Sequence, residues 1–462
     1  ISKVKCIPME IGGGFGGKTC VYLEPVAAAL SKDTGNPVKI TMNRTEVFTG
    51  TGPTSGSYTK VKMGVAKSGK ITAVDAYMVF EAGAFPGSPV GGAARCMFSP
   101  YDIPNAHIEG LDVVVNTQKT AAYRGPGAPI GAFAVEQVID EICRALEIDP
   151  LEFRIMNASK EGDRSIAGPL FGQIGSVNVF EAALNHPHYT APKGNGYRGR
   201  GVAAGYWGNG GGPASAVASV NADGTVSLVE GSPDIGGTRV ALAMQFAEVV
   251  GIPVEDVSPS VGDTESIGFT SMTGGSGVAY KTGWACYLAG EDVKRQMVER
   301  AAAIWDVNSS DVDYTDGVIT HNSDPELKTT FKDLAARLNA TGGPIVGRGT
   351  TSERRAGAAV GLHIVDVEVD KETGKVDILR YTAVQDAGKA IHPSYVEGQI
   401  QGGAVQGIGW ALNEEYYLNA DGQMANSSFL DYRMPTSLDL PMIDTVIVET
   451  PHDGHPYSVR GA

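Results

Sequence analysis

The sequence predicts an α+β fold in two halves, and three observations carry that prediction. A strand–turn–strand pattern recurs three times, helical patterns lie between without strict alternation, and a polar stretch rich in Gly, Pro, His and Asn, 158–200, reads as a linker. The first hairpin, YTKVKMGVAKSGKITAVDAYMVFEAGAF, turns at Ser68-Gly69. The second, SAVASVNADGTVSLVEGSPDIGG, turns at Asp223-Gly224, and the third, HIVDVEVDKETGKVDILRYTAVQDAG, at Thr373-Gly374. In each, apolar and polar residues alternate, and Gly stands where a tight hairpin needs positive φ. Each second strand runs into a loop containing Gly, so the sheet ends present loops to a shared site. Apolar residues at helical spacing mark 132–147, 239–250, 283–304, 328–339 and 394–412.

At 462 residues the chain exceeds one ordinary core and fits about two to four domains. Gly accounts for 61 residues, nearly twice the usual share of about 7%. The glycines cluster between apolar segments, so the chain is globular. A net charge of −15 without a basic run excludes nucleic acid as a partner. No apolar stretch reaches membrane-spanning length, and no signal peptide opens the chain. ISKVKC carries no initiator Met and HPYSVRGA stops inside a glycine loop, so a piece of a longer polypeptide is expected. Five cysteines, at 6, 20, 96, 143 and 286, include no C-x-x-C pair. That argues against a disulfide framework, a zinc site or an iron–sulfur cluster held in this chain. All five are expected to be buried, and a reducing cytoplasm is the expected compartment.

The run IGGGFGGKT admits two functional readings. Gly12, Gly17, Lys18 and Thr19 fit the phosphate-loop spacing of a nucleotide triphosphatase, with Val4 to Ile11 as the preceding strand. A phosphate loop must run straight into a helix, however, and Pro25 would fall in its second turn. Pro25 suits better the first turn of a later helix, PVAAALSKDTG, ending near Gly35. The other reading makes this run one of five glycine loops that wrap a long anionic ligand. The other four are Arg124–Pro129, Gly231–Thr238, Thr273–Gly277 and Gly398–Gly409. Such loops offer backbone amides at low steric cost.

These stretches, taken in order, resemble the molybdopterin-binding subunit of the xanthine oxidase family, the molybdenum hydroxylases. The matching segments are GGGFGGK, AYRGPGAP with EQVIDEICRALEIDPLEFRIMN, DIGGTRVALAMQFAEVVGIP, GDTESIGFTSMTGGS, DAGKAIHPSYVEGQIQGGAVQGIGWALNEE, and FLDYRMPTSLDLP with HPYSVRGA. They span nearly the whole chain. The resemblance implies two molybdenum-cofactor-binding domains, 1–190 and 191–462, both incomplete. It implies that Gly13, Gly14, Phe15 and Gly16 lie over the molybdenum centre, and that the backbone of Arg124 approaches the metal's oxygen ligand. Gly236, Gly237 and Thr238 belong to a second cofactor loop. Gly275 and Ser276 hold the pterin and its phosphates, and Gln399 hydrogen-bonds the pterin, while Gln406 faces the helix packing. No side chain is expected to ligate the metal, which the pterin dithiolene holds.

The implied chemistry is insertion of water-derived oxygen into a C–H bond of a small-molecule substrate, with a glutamate as base. Electrons pass to [2Fe–2S] clusters and FAD on partner subunits, in a homodimer of heterotrimers or a similar assembly. The implied pterin is the cytosine dinucleotide form.

Four departures narrow this reading. The family's catalytic glutamate is expected two positions beyond Ala462, and Glu414 and Glu415 match a structural helix end instead. Gly237 replaces the glutamine of a Gly-Gln-Gly motif, so its hydrogen bonds come from elsewhere or the loop comes closer. Pro126 stands where purine-hydroxylating members place a stacking phenylalanine, and Thr19 where they place a glutamate, both against xanthine. No Cys lies between Cys96 and Cys143, against a copper–molybdenum site. Aldehydes, N-heteroaromatics and aromatic acyl-CoA thioesters remain as substrate classes. Trp207 reads either as a pocket wall or as a packing residue, and His392 as structural. A catalytically inactive cofactor-binding scaffold is the remaining alternative from another class.

Overall fold

The computed structural model describes residues 3–354 and 356–461. All three hairpins form where the alternation places them. Ser57–Val65 pairs antiparallel with Ile71–Gly83, Ala214–Val220 with Val226–Glu230, and Ala358–Val369 with Val376–Asp386. Their turn glycines, Gly69, Gly224 and Gly374, have φ of 89°, 86° and 75°.

Each second strand then leads through a helix to a strand parallel to it. The helices are Val90–Cys96, Thr238–Val250 and Pro393–Leu412, and the parallel strands Ala106–Val114, Val257–Val261 and Ile443–Val448. One unit of hairpin, helix and parallel strand is thus used three times. Val346–Thr351 extends the second sheet and Arg198–Gly208 the third. A small antiparallel sheet of Val312–Thr315, Val318–His321 and Lys328–Thr330 stands apart. Mixed sheets with helices make the fold α+β.

Two large cores follow from the strand alternation. In Ile71–Gly83, Val74, Ala76, Met78, Phe80 and Ala82 point inward at period two. The first four share a core with Val360, Leu362 and Ile364 of the third hairpin, so the last sheet closes on the first half. Helix Ala128–Leu146 joins it through Gly131, Val135, Ile139 and Cys143, one residue per turn. The second core packs Leu228 of its sheet against Phe246 and Met297, from helices Thr238–Val250 and Gly283–Trp305.

A buried charge network pins the first core. The Arg154 guanidinium is fully buried and donates to Glu136 Oε2 from Nε at 3.0 Å and Nη2 at 2.7 Å. The same carboxylate oxygen accepts the Ala204 amide at 2.7 Å, and Oε1 accepts the Tyr101 hydroxyl at 2.5 Å. Arg154 Nη2 also donates to the Val202 carbonyl at 3.1 Å. Chain segments about 50 to 100 residues apart are thereby tied through one guanidinium, which also lies 3.7 Å from Asp140 Oδ1.

Five local expectations are corrected. The stretch 158–200 is packed, with helix Ser176–Leu184 burying Val179 and Phe180 and His188 fully buried. The helix expected over 328–339 starts only at Phe331, because Thr330 accepts the Asp333 amide as its N-cap and Lys328–Thr330 pairs as a strand. Cys6 and Cys20 are exposed, while Cys96, Cys143 and Cys286 are buried. Gly398–Gly409 is no loop and lies inside helix Pro393–Leu412. Val4 to Ile11 forms no strand. No helix among the described residues is long and apolar enough to cross a membrane.

Candidate functional site

The glycine-rich segments converge although they lie far apart in sequence. After Gly17 comes only a three-residue 3-10 turn, Gly17–Thr19, and the next helix, Glu24–Thr34, begins around Pro25 and ends at Gly35. With neither strand before it nor helix directly after it, the run lacks the geometry of a phosphate loop, and that alternative is set aside. Gly13, Phe15 and Gly16 take φ of 97°, 49° and 101°, which folds the run into a tight concave loop.

The Phe15 carbonyl accepts the Arg124 amide at 2.7 Å, so this loop and the RGPG loop are joined through backbone. That amide is therefore engaged within the protein. The Arg124 guanidinium lies 5.8 Å from the Phe15 ring centroid. It donates to the Gln399 carbonyl at 2.6 Å and to Gln406 Oε1 at 3.1 Å. Gln406, read from sequence as a packing residue, is therefore a partner of Arg124. Gly403 lies against the guanidinium, since a Cβ there would sit 3.4 Å from its carbon, in ordinary contact. Burial holds the Arg124 pKa below its usual value.

Gly14 faces the Ile235 side chain, bringing in the Gly231–Thr238 segment. Gly236 and Gly237 are both left-handed, with φ of 66° and 79°. A Cβ on Gly236 would sit 2.7 Å from Gln399 Nε2, and one on Gly237 would strike the Tyr395 ring. Tyr395 thus fills the space in which the family's glutamine would project, stacked on His392 at 3.8 Å. Thr238 opens helix Thr238–Val250, and its hydroxyl reaches Asp234 at 3.4 Å. His392 is the N-cap of the Pro393–Leu412 helix, as its structural reading expects.

The fifth segment is held from behind. Lys281 is buried and donates to Ser271 Oγ at 2.7 Å and to the carbonyls of Ser271 and Met272 at 3.0 and 2.7 Å. Burial lowers its pKa. Gly275 and Ser276 follow with φ of 65° and 59°. The Gly275 carbonyl accepts the Gly210 amide at 2.6 Å and the Trp207 indole at 3.4 Å. The C-terminal segment runs against this loop, because a Cβ on Gly461 would lie 2.8 Å from the Ser276 Cβ. Arg460 fixes that segment by donating to the carbonyls of Thr450, Ala358 and Pro451. The expected catalytic glutamate, beyond Ala462, lies outside the described residues, as does Ala462 itself.

Between these segments opens a cleft of about 300 Å³ walled by Gly14, Gly16, Lys18, Ile235 and Thr270–Thr273. In a chain of net charge −15 this wall carries, among the described residues, one lysine and no carboxylate. Helix Ala128–Leu146 begins beside the converging loops at Gly127 without a side-chain cap, whereas at the start of Thr238–Val250 the Asp234 carboxylate accepts the Arg239 amide at 3.1 Å. An uncapped helix N-terminus and left-handed loop residues present N–H groups to an anion. Thr273 Oγ1 is shielded from solvent with no partner. These features fit a large anionic pterin cofactor. Among the described residues no group of three or more His, Cys, Asp or Glu stands ready to hold a metal, so the chain itself offers no ligand set.

Sequence reasoning missed Lys281, Tyr395 and the Arg124–Gln406 bond. Lys281 carried one readable signal, a lone lysine in an otherwise apolar and small stretch, VAYKTGWAC.

Comparison with known proteins agrees with this geometry. Models of the molybdopterin cofactor-binding domain match residues 1–158 and 182–441. The chain is 33% identical, over 97% of its length, to the xanthine dehydrogenase molybdenum-binding subunit of Escherichia coli O157:H7 and covers 63% of it. It is 27% identical to the nicotine 6-hydroxylase large subunit of Paenarthrobacter nicotinovorans, over the whole chain and 61% of that protein. Quinoline 2-oxidoreductase from Pseudomonas putida 86 superposes with a TM-score of 0.86 at 26% identity, over 98% of this chain and 62% of that one. The chain thus spans less than two thirds of the relatives it matches. From its paired domain matches, its relatives and its loop geometry, the chain belongs to the xanthine oxidase family, as the molybdopterin-binding part of a large subunit.

Proposed function

We propose that this chain is part of a molybdenum-dependent hydroxylase acting on an aldehyde, an N-heteroaromatic or an aromatic acyl-CoA substrate. The overall reaction is R–H + H2O → R–OH + 2 H+ + 2 electrons, with [2Fe–2S] and FAD subunits taking the electrons. The observation that carries the reading is the convergence of the distant loops on a cleft free of carboxylates.

The bound cofactor supplies the oxygen transfer and takes up the electron pair. The chain's residues orient it. Gly13, Gly14, Phe15 and Gly16, with Gly236, Gly237 and Thr238 and with Gly275 and Ser276, would hold it. Gln399 offers an amide, and Arg124 locks the first loop to the helix that bears it. The closeness of Gly461 to Ser276 supports a base entering from just beyond Ala462. Two cofactor-binding halves, 1–190 and 191–462, share the site. Cytosine dinucleotide is the proposed pterin form, a dimer of heterotrimers the proposed assembly and the cytoplasm the proposed compartment.

Xanthine is not among the proposed substrates. Pro126 offers no aromatic ring to stack on a purine, and the Thr19 hydroxyl is spent on the Gly16 carbonyl at 2.7 Å.

Metal analysis of the complete, natively purified complex, with acid release of the nucleotide, tests the reading. About one molybdenum per large subunit with cytidine monophosphate supports it. Absence of both metal and nucleotide overturns it. Cofactor without turnover of any of the three substrate classes identifies a scaffold.

A further inference from the structure

The helix Gly283–Trp305 is entered through a π turn, Val278–Thr282. Such turns are wider than an α-helical turn and re-aim the side chains they carry. Two consecutive residues of this one, Lys281 and Thr282, are 2% and 0% exposed. They bond two different segments of the cleft wall. Lys281 donates to Ser271 and Met272, and both of these line the cleft. The Thr282 hydroxyl bonds the Ser232 hydroxyl at 2.8 Å, between the cleft-lining Gly231 and Pro233. The turn itself is fixed by Gln245, whose amide donates to the Ala279 carbonyl at 3.0 Å.

Lys281 does more than bracing requires. Its ammonium has three protons, and three neutral oxygens take them. No carboxylate among the described residues pairs with it. Glu230, two residues before Ser232, bonds the Ser232 amide through one oxygen and has no partner for the other. A buried ammonium without a counter-charge is costly, and a neutral donor could brace the same oxygens. The Ser271 hydroxyl accepts from the ammonium, so its own hydrogen remains for another acceptor. Polarisation by the ammonium makes that hydroxyl a stronger donor. The nearby Thr273 hydroxyl is shielded and without a partner.

Resting on the reading of this cleft as part of the cofactor site, we propose that the π turn clamps two segments of the wall and that Lys281 is its electrostatic positioning residue. Lys281 sets the Ser271–Thr273 wall. From one hydrogen-bonded layer behind that wall it supplies positive charge to a phosphate-bearing ligand. With Lys18 on the wall itself, the ligand meets one cation directly and a second through the Ser271 hydroxyl. Thr282 holds the Gly231–Thr238 segment in register with them.

Inorganic pyrophosphate is the probe, titrated calorimetrically into the complete complex prepared without its cofactor. Urea midpoints report whether each variant folds. Lys281→Met removes the charge and all three bonds, whereas Lys281→Gln keeps N–H donors without the charge. Both are expected to lose at least about tenfold in pyrophosphate affinity. Gln is expected to recover stability relative to Met, and no affinity. Thr282→Val keeps the charge and is expected to weaken binding only about threefold. Metal analysis of the natively purified complex separates the two readings. Lys281-dependent pyrophosphate binding in a complex that holds no molybdenum sustains the clamp and removes the hydroxylase reading. Molybdenum in the complex, with pyrophosphate affinity indifferent to Lys281, does the reverse. A Gln variant that regains affinity together with stability reveals a purely structural lysine and overturns the proposal. So does a parent complex that binds no pyrophosphate.

Discussion

Two arginines tie distant parts of this chain together, and they do so with opposite electrostatics. Arg154 is fully buried and closed by the Glu136 carboxylate, with Tyr101, Ala204 and Val202 completing the network. Arg124 is half-buried and meets only neutral acceptors among the described residues, the Gln399 carbonyl and amide and the Gln406 amide. Arg154 joins segments within residues 101–204, while Arg124 reaches residues 275 and 282 positions away. The first network is complete within the protein, while the second leaves positive charge beside a cleft without carboxylates. The charge that holds the fold is neutralised by the fold, and the Arg124 charge is the one that, in the proposed function, a bound anion would neutralise.

Four experiments break or sharpen that contrast. Arg154→Met leaves Glu136 buried without its cation and is expected to cost about 3–5 kcal/mol, read from urea unfolding midpoints. Whatever fraction folds is expected to keep its molybdenum. Combining it with Glu136→Gln recovers part of the loss, and a double variant as unstable as the single one sinks the closed-network account.

Glu230 is next, a buried carboxyl beside the Gly231–Thr238 segment with no ion pair among the described residues. Burial raises its pKa from 4.5 to about 7. The folded state therefore binds the proton more tightly than the unfolded state. Stability is fullest below the unfolded value, falls as pH rises through about 7, and is level above. Glu230→Gln is expected to flatten that slope and to be more stable at pH 8, by up to about 3 kcal/mol. A parallel pair of stability–pH curves for variant and parent refutes it.

Gly237→Gln puts back the family's side chain. It is expected to fail, because the left-handed backbone alone costs about 1–2 kcal/mol and Tyr395 fills the space. Molybdenum content is the readout, and a variant with more bound metal contradicts the packing described. Arg124→Gln is expected to move stability least, by about 1.5 kcal/mol, since the guanidinium loses only bonds to neutral acceptors and no ion pair among the described residues. Its bound molybdenum is expected to fall at least about tenfold. Full metal retention removes Arg124 from the site and ends the comparison.

Much of the architecture was legible in the sequence because its signals are local. Alternation and a turn glycine define each hairpin, and Pro25 with Gly35 brackets the helix that argued against a phosphate loop. The candidate loops were legible as glycine runs. Their mutual contacts were not, since nothing in the local pattern couples Arg124 to Gln406 or Gly237 to Tyr395 across more than 150 residues. The buried Glu136 was also hidden, because it sits one place past the apolar stripe of its helix, where a solvated carboxylate is the usual outcome. In 328–339 the helical periodicity misled, as the Thr330 cap and a strand pairing outweighed it.

The dispersal of the loops has a consequence for how the protein is made. Gly13 and Gln399 are among the first and last of the converging residues, 386 positions apart (399 − 13). At ordinary synthesis rates of about 5–20 residues per second, Gln399 leaves the ribosome roughly 20–80 s after Gly13. During that interval the first loop waits with its partners unmade. Loading of the cofactor therefore belongs after translation, as a closing step that fastens the earliest part of the chain to the latest and adds its binding energy to the finished fold.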